Sequence, residues 1–349
     1  MKETTIYLVR HAEAEGNLYR RIHGQYDSNV TMNGLRQIAA LEERFRGISV
    51  DAVYASDLTR TCRTARAVAD QNQLEIRTDA RFREVALGVW EDAPFGELDQ
   101  ENPVQMRNFN YAPQKWKVEG AESWETYTSR FLDGLQAVAD MHPGETVAIV
   151  SHGSVLSHSL KRLFPEAEMC HMDNTSVSRV RYDGSFHLDF LGDNSHLSEG
   201  ISTLARQNWW RGDKNKKDRN LWFLPFESEI EWYLSLTDDS IPVAPMAIID
   251  FAMLGRDAVG LLQLDPQRDQ DDKAGFIDYV GLKKSHRGQG LGIQIIGAAV
   301  SYYRRLGRET LRVSLPQQFA SCRGWFEHYG FRPIGDDIYE LDIRVPNGL

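Results

Sequence analysis

Cysteine is scarce: Cys62, Cys170 and Cys322 are the only three in 349 residues, far apart and without a C-x-x-C pair. That pattern suggests neither a disulfide framework nor a zinc site, so the thiols read as buried or incidental. Positive charge is in deficit, with 40 Lys and Arg against 50 Asp and Glu and a formal charge of −10. Such a balance argues against general affinity for nucleic acid or anionic lipid, and an anionic substrate would need a local basic pocket. The first 17 residues place a lone Lys2 before a short apolar run and then charges. This is neither a secretory signal nor a membrane span, and a cytoplasmic protein is expected. No internal repeat or low-complexity segment is visible.

What is present is ordinary globular composition, 42% hydrophobic and 26% charged, in a chain longer than the roughly 250–300 residues at which single cores stop growing. Two domains are expected, residues 1–198 and 199–349. In the first, β-rich runs (5–9, 52–55, 147–150) alternate with amphipathic helical stretches (33–46, 59–72, 153–164), the α/β pattern. Strands at 176–182 and 186–191 flank the turn dipeptide Asp183-Gly184, and the polar stretch 192–202 reads as a linker. A helix-like segment then starts at Ile201. The Trp- and Lys-rich stretch 208–220 reads as a partner patch or, in keeping with most charge runs, a solvated loop. Strands at 246–254, 258–264 and 275–282 imply a mostly antiparallel second sheet.

Leu8-Val9-Arg10-His11 and Ile149-Val150-Ser151-His152 each set a histidine directly after an apolar run, at the carboxyl end of a buried strand. Ligands bind there in open α/β sheets. Two imidazoles in that crevice suit a metal, an acid–base pair, or a nucleophile with an anion-stabilising partner. Arg10, and Arg60 after Ser56-Asp57-Leu58-Thr59, supply guanidinium forks that suit phosphate oxygens and repel metal ions. Phosphoryl transfer needs an in-line nucleophile, positive charge and a proton for the leaving group. Glu84 is the natural proton donor, and no metal is expected.

In chain order, LVRHAEAEGN, SDLTRTCRTA, FREVALGVWE and VSHGSV resemble the histidine phosphatase, or phosphoglycerate mutase-like, superfamily over about residues 6–197. The resemblance implies a three-layer α/β/α fold on a mostly parallel sheet, with His11 taking the phosphoryl group. It further implies Arg10, Arg60 and His152 as phosphate ligands and Glu84 as acid and then base, with His152 counted among the catalytic groups. Asn17 and Gly24 match positions lining the family's phosphate pocket. Thr31 falls in the helix-entry motif as a cap or a catalytic group. Asp92 stands where relatives commonly carry Gly, which puts the shape of the substrate mouth in question. Without the long insertion of glycolytic mutases between residues 97 and 123, hydrolysis of a small phosphorylated metabolite is favoured over mutase chemistry. A neutral His11 and a protonated Glu84 imply a rate peak at mildly acidic to neutral pH, and an optimum above about pH 9 would contradict these roles.

Further on, a strand runs through Val280-Gly281-Leu282 into Arg287-Gly288-Gln289-Gly290-Leu291-Gly292 and an apolar helix at 293–306. Glycines at a helix N-terminus build an anion site that suits a pyrophosphate. With Gly330-Phe331 beyond, this stretch resembles the GNAT N-acetyltransferase family over about residues 201–344. That implies an α+β fold, the Leu282 backbone on the pantetheine arm of acetyl-CoA, and Arg287, Gly288, Gln289, Gly290, Leu291 and Gly292 on its pyrophosphate. Where relatives often carry the Tyr that protonates the departing thiolate, this chain has Phe326; Tyr329 is nearby and Asp278 could assist deprotonation of the amine. The expectation is a bifunctional enzyme with acetyl-CoA as co-substrate and an amine acceptor. The alternatives are a non-catalytic acetyl-CoA sensor in the second domain or a mutase in the first.

Overall fold

The computed structural model describes residues 2–207, 219–228, 230–237 and 246–346. Most of the Trp- and Lys-rich stretch, residues 208–218, lies outside the described residues. The N-terminal region runs β1 (Thr4–Arg10), α1 (Glu15–Tyr19), β2 (Arg21–Ile22), α2 (Met32–Phe45), β3 (Ala52–Ala55), α3 (Thr59–Asn72), β4 (Ile76–Thr78) and β5 (Ala93–Pro94). It continues with α4 (Phe95–Glu101), α5 (Pro103–Tyr111), α6 (Trp124–Met141), β6 (Thr146–Ser151), α7 (Gly153–Leu163), β7 (Val177–Tyr182) and β8 (Phe186–Asp193).

Six of these strands form a sheet in the order β4-β3-β6-β1-β7-β8, parallel from β4 to β1 and antiparallel beyond. Period-two alternation divides each central strand between two cores. Ile6, Leu8, Val147 and Ile149 face Phe82, Tyr127 and Phe131, whereas Val9, Ala148 and Val150 face Leu41, Phe45 and Val68. Burial on both faces explains why β1 and β6 read as nearly continuous apolar runs. The expected linker begins later than residue 192. Gly192 and Asp193 extend β8, with Gly192 N donating to Ser178 Oγ at 2.9 Å. The helix expected from Ile201 is a single turn, α8 (Thr203–Arg206), capped by Ser202.

Beyond it lie β9 (Trp222–Pro225), α9 (Ile230–Leu236), β10 (Ile248–Leu254), β11 (Asp257–Asp265), β12 (Ala274–Leu282), α10 (Gly292–Arg305), β13 (Thr310–Ser314), α11 (Ala320–His328), β14 (Arg332–Gly335) and β15 (Ile338–Asp342). Their seven-stranded sheet is antiparallel except between β12 and β13. That parallel pairing stops at Ile277↔Val313, while β12 stays paired with β11 to Leu282, so the two parallel strands part beyond Ile277.

The two sheets are joined through helix α10, which packs on α1. Tyr19 of α1 belongs to the second core, and Gly297 is the crossing point: a Cβ there would lie 2.4 Å from Tyr19 Cβ. Arg304 forms a two-pronged pair with Glu15 at 2.7 and 2.9 Å. Among the described residues no helix is long and apolar enough to cross a membrane.

Candidate active site

The register Arg10↔Ser151 brings the carboxyl ends of β1 and β6 level, so the two histidines that follow meet with ring centroids 5.1 Å apart. His11 Nδ1 lies 2.7 Å from the Ala12 carbonyl, which can only accept. In the neutral ring the proton therefore sits on Nδ1, and Nε2 keeps its lone pair. Burial, then the charges of Arg60 and Arg10, hold the His11 pKa well below the ordinary histidine value. An unprotonated Nε2 beside two guanidinium groups is what attack on a phosphate requires.

Each guanidinium is anchored by carbonyls. Arg10 donates through Nη1 to Met172 O at 2.6 Å, and its buried Nε has no protein partner among the described residues. Arg60, buried at the first turn of α3, donates to Gly24 O at 2.6 Å and Tyr26 O at 3.0 Å. Gly24 takes φ +52° to present that carbonyl, and an added Cβ would strike Glu91 and Leu87. His152 is fully buried, its Nε2 2.9 Å from Ser56 Oγ and its Nδ1 without a partner. Burial, then Arg60 and His11, hold its pKa well below the ordinary value as well. Arg10 Nε is thus a buried donor at the cavity wall left unsatisfied by protein, which suits a bound oxyanion.

Glu84 sits at the N-terminus of α7. Its Oε1 accepts from Val155 N (2.8 Å) and Val85 N (3.1 Å), and its Oε2 accepts from Ser154 N at 3.0 Å. Three of about four lone-pair positions are filled, leaving one on Oε2 for a proton. Asn17 Oδ1 accepts from Ala14 N and Asn174 Nδ2, which leaves its own NH₂ for an anion. Thr31 is the N-cap of α2, accepting from Gly34 N and donating to Glu13 Oε1. His11, Arg10, Asn17, Gly24, Arg60 and Glu84 all line one cavity of about 670 Å³, which extends outward past Phe95, Met106, Phe109 and Leu204. His152 lies behind that wall.

Several supporting groups escaped the sequence reading. Asn174 donates to His11 O and bridges to Asn17; Thr64 Oγ1 accepts from Ala12 N; Glu91 accepts from the amides of Gln25 and Tyr26. Only Asp173-Asn174-Thr175 before β7 carries a local signal, as a turn cluster, and Thr175 indeed takes φ +59°.

This arrangement agrees with the sequence comparison. Residues 6–193 match the model described as the histidine phosphatase superfamily, branch 1. The chain belongs to the histidine phosphatase superfamily. Residues 208–331 match the Acetyltransferase (GNAT) family. The chain is 32% identical over 202 residues to the probable phosphoglycerate mutase GpmB of Salmonella choleraesuis (strain SC-B67), covering 55% of this chain and 94% of that one. Against GpmB of Proteus mirabilis (strain HI4320) it is 30% identical over 205 residues, covering 56% and 95%. Among solved structures, Bacillus stearothermophilus YhfR superposes with a TM-score of 0.54 at 33% identity, covering 56% of this chain and all of that one. A mycobacterial glucosyl-3-phosphoglycerate phosphatase shares the fold, with a TM-score of 0.51 at 21% identity, covering 56% and 100%.

In the GNAT domain, the loop before α10 has Gly288 and Gly290 at φ +73° and +75° with open space around them, and Gly292 opens the helix. Arg287 Nε donates to Leu282 O at 3.0 Å and Gln289 Nε2 to Ser285 O at 2.8 Å; Leu291 is buried. A 14-residue helix with its first amides behind such a loop fits a pyrophosphate. The Leu282 carbonyl, by contrast, is already engaged by Arg287. Phe326 is buried against Phe331, Tyr329 packs on Trp325, and Asp278 accepts from Gln263 at the bulge between β11 and β12.

Proposed function

We propose that residues 1–198 form a phosphomonoester phosphatase working through phosphohistidine. His11 Nε2 bonds to phosphorus as the ester P–O bond breaks, and Glu84 gives its proton to the departing alcohol oxygen. Water then attacks phosphorus, loses a proton to Glu84, and frees His11 with release of inorganic phosphate. Arg10, Arg60 and Asn17 hold the phosphoryl oxygens from the cavity wall, His152 backs the His11 ring from behind it, and Gly24 acts through its carbonyl on Arg60. The observation that carries this reading is the neutral, Nδ1-anchored His11 ring set between Arg10 and Arg60 at the end of the cavity. Residues 199–349 are proposed to bind acetyl-CoA through the loop from Arg287 to Gly292 and to acetylate an amine, both activities residing in the cytoplasm. The parting of β12 and β13 beside that loop supports a place for the pantetheine arm.

The test is phosphate release from a panel of phosphomonoesters in EDTA, wild type against His11→Ala. Release lost in the variant supports the assignment. Transfer of phosphate between positions of one substrate, without release, would favour a mutase, the activity named for the GpmB relatives. A second reading, in which acetyl-CoA tunes the phosphatase without being consumed, is favoured by the packing of α10 on α1. Acetyl-CoA turnover with a panel of amines separates the two.

A further inference from the structure

Asp92 holds φ +61°, a conformation that favours glycine, yet its side chain is buried and fully used. Arg21 Nε donates to Asp92 Oδ1 at 2.8 Å, and Ser301 of α10 donates to Asp92 Oδ2 at 2.5 Å. Arg21 Nη2 closes the triangle on Ser301 Oγ at 3.0 Å. His23 Nε2 stands 3.5 Å from the same carboxylate, and its Nδ1 lies 2.9 Å from Ser28 Oγ. Directly beyond His23 come Gly24 and Tyr26, whose carbonyls hold the Arg60 guanidinium. Glu91, the neighbour of Asp92, accepts from the amides of Gln25 and Tyr26 at 3.0 and 2.6 Å. Residues 21–26 are therefore suspended between two adjacent carboxylates, one of which is tied to the acetyltransferase domain.

We infer that Ser301 and Asp92 are positioning residues for the phosphatase site: through them α10 fixes the turn at residues 21–26 and so the aim of Arg60. The inference rests on the reading of Arg60 as a phosphate ligand. Its physical basis is that the contact is dry. Arg21, Asp92 and Ser301 are each less than a tenth exposed, so water cannot take over a lost hydroxyl without the turn moving. The second domain then completes the first domain's active site, a role separate from any acetyl transfer.

The experiment uses the full chain as wild type, Ser301→Ala, Asp92→Gly and the double variant. Asp92→Gly removes the carboxylate while relaxing the backbone, and Asp92→Asn serves as the conservative rescue. For each, KM and kcat with p-nitrophenyl phosphate, Ki for inorganic phosphate, and Tm are measured. Ser301→Ala should raise KM and Ki together by about 5- to 10-fold, the loss of part of a hydrogen bond to a charged acceptor. Asp92→Gly should do at least as much, Asp92→Asn should recover most of it, and Ser301→Ala should add nothing in the Asp92→Gly background. A Ki within twofold of wild type in Ser301→Ala, with or without a lower Tm, overturns the inference. So does an equal further loss in the double variant, because Ser301 would then not act through Asp92. A wild type that neither releases nor binds phosphate refutes the phosphatase reading itself, and the inference with it.

Discussion

Replacing Arg304 by Met tests whether the two sheets are thermodynamically one unit. Arg304 and Glu15 are each about 10% exposed, paired at 2.7 and 2.9 Å, and Arg304 Nε also donates to Ile343 O at 2.6 Å. Burial works against the guanidinium charge, but Glu15 outweighs it and raises the Arg304 pKa above its ordinary value. Without Arg304, Glu15 keeps, among the described residues, the Asn29 amide at 3.1 Å. Breaking a buried pair from one side costs about 3–5 kcal/mol, and the residual exposure puts this one near 3 kcal/mol. At about 2 °C per kcal/mol for a large cooperative unit, Tm should fall by roughly 6 °C. Calorimetry and urea unfolding of Arg304→Met, Glu15→Gln and the double variant measure it. The double variant should be less destabilised than the two single losses added, since the pair is then removed together. Additive losses, or a single loss below about 1 kcal/mol, would refute the argument that this contact joins the domains.

Stability should also fall on mild acidification. Burial is the leading cause holding His11, His23, His152, His158 and His196 below the ordinary histidine value, so below pH 6.5 the unfolded chain takes up protons that the folded chain refuses. For His158, pushed down to about 4, the drop from 6.5 is worth about 3 kcal/mol, lost progressively from about pH 6.5 to 4; a Tm that is flat from pH 7 to 4.5 would contradict this. Gly297→Ala should destabilise by about 1–3 kcal/mol in thermal melts despite the better helix former, because its Cβ meets Tyr19 at 2.4 Å, and Tyr19→Ala in the same chain should recover part of the loss. Gly290→Val should weaken acetyl-CoA binding about tenfold by calorimetry, since a β-branched residue resists φ +75°.

Much of the fold was legible because its elements obey local rules. The strand at residues 52–55 and the helix at 59–72 coincide with β3 and α3, where apolar runs and helical periodicity agree with tertiary burial. The histidines were legible for a similar reason: a polar residue straight after a buried parallel strand has to emerge at the sheet's carboxyl edge. Helix α6 went unread although it is 18 residues long and capped by Ser123, because two positions of its buried face are Thr128 and Gly134, which weaken the apolar stripe made by Tyr127, Phe131, Leu135 and Val138. The supporting groups were unreadable for another reason. Asn174, Thr64 and Glu91 act through contacts across 52 to 163 positions of sequence in the first two cases, and through a turn held by backbone amides in the third. Long-range pairing leaves no local pattern.

Asp92 shows where reading a chain one family at a time stops working. Against the phosphatase pattern it is a departure at a position that favours glycine, with a backbone at φ +61° and a charge beside the cavity. Against the GNAT pattern, Ser301 is an unremarkable small residue on an apolar helix. Neither sequence signal says that the two meet. Once α10 crosses α1 at Gly297, the Asp92 carboxylate has both Arg21 and Ser301 as partners, and the backbone strain of a non-glycine residue is offset by two buried hydrogen bonds. The departure is thus a property of the fusion. On this reading Asp92→Gly should relieve the backbone strain yet be costly to Arg21, leaving its buried guanidinium, among the described residues, with the Ser301 hydroxyl, and Arg21→Met should restore stability in Asp92→Gly while leaving wild type the worse for it.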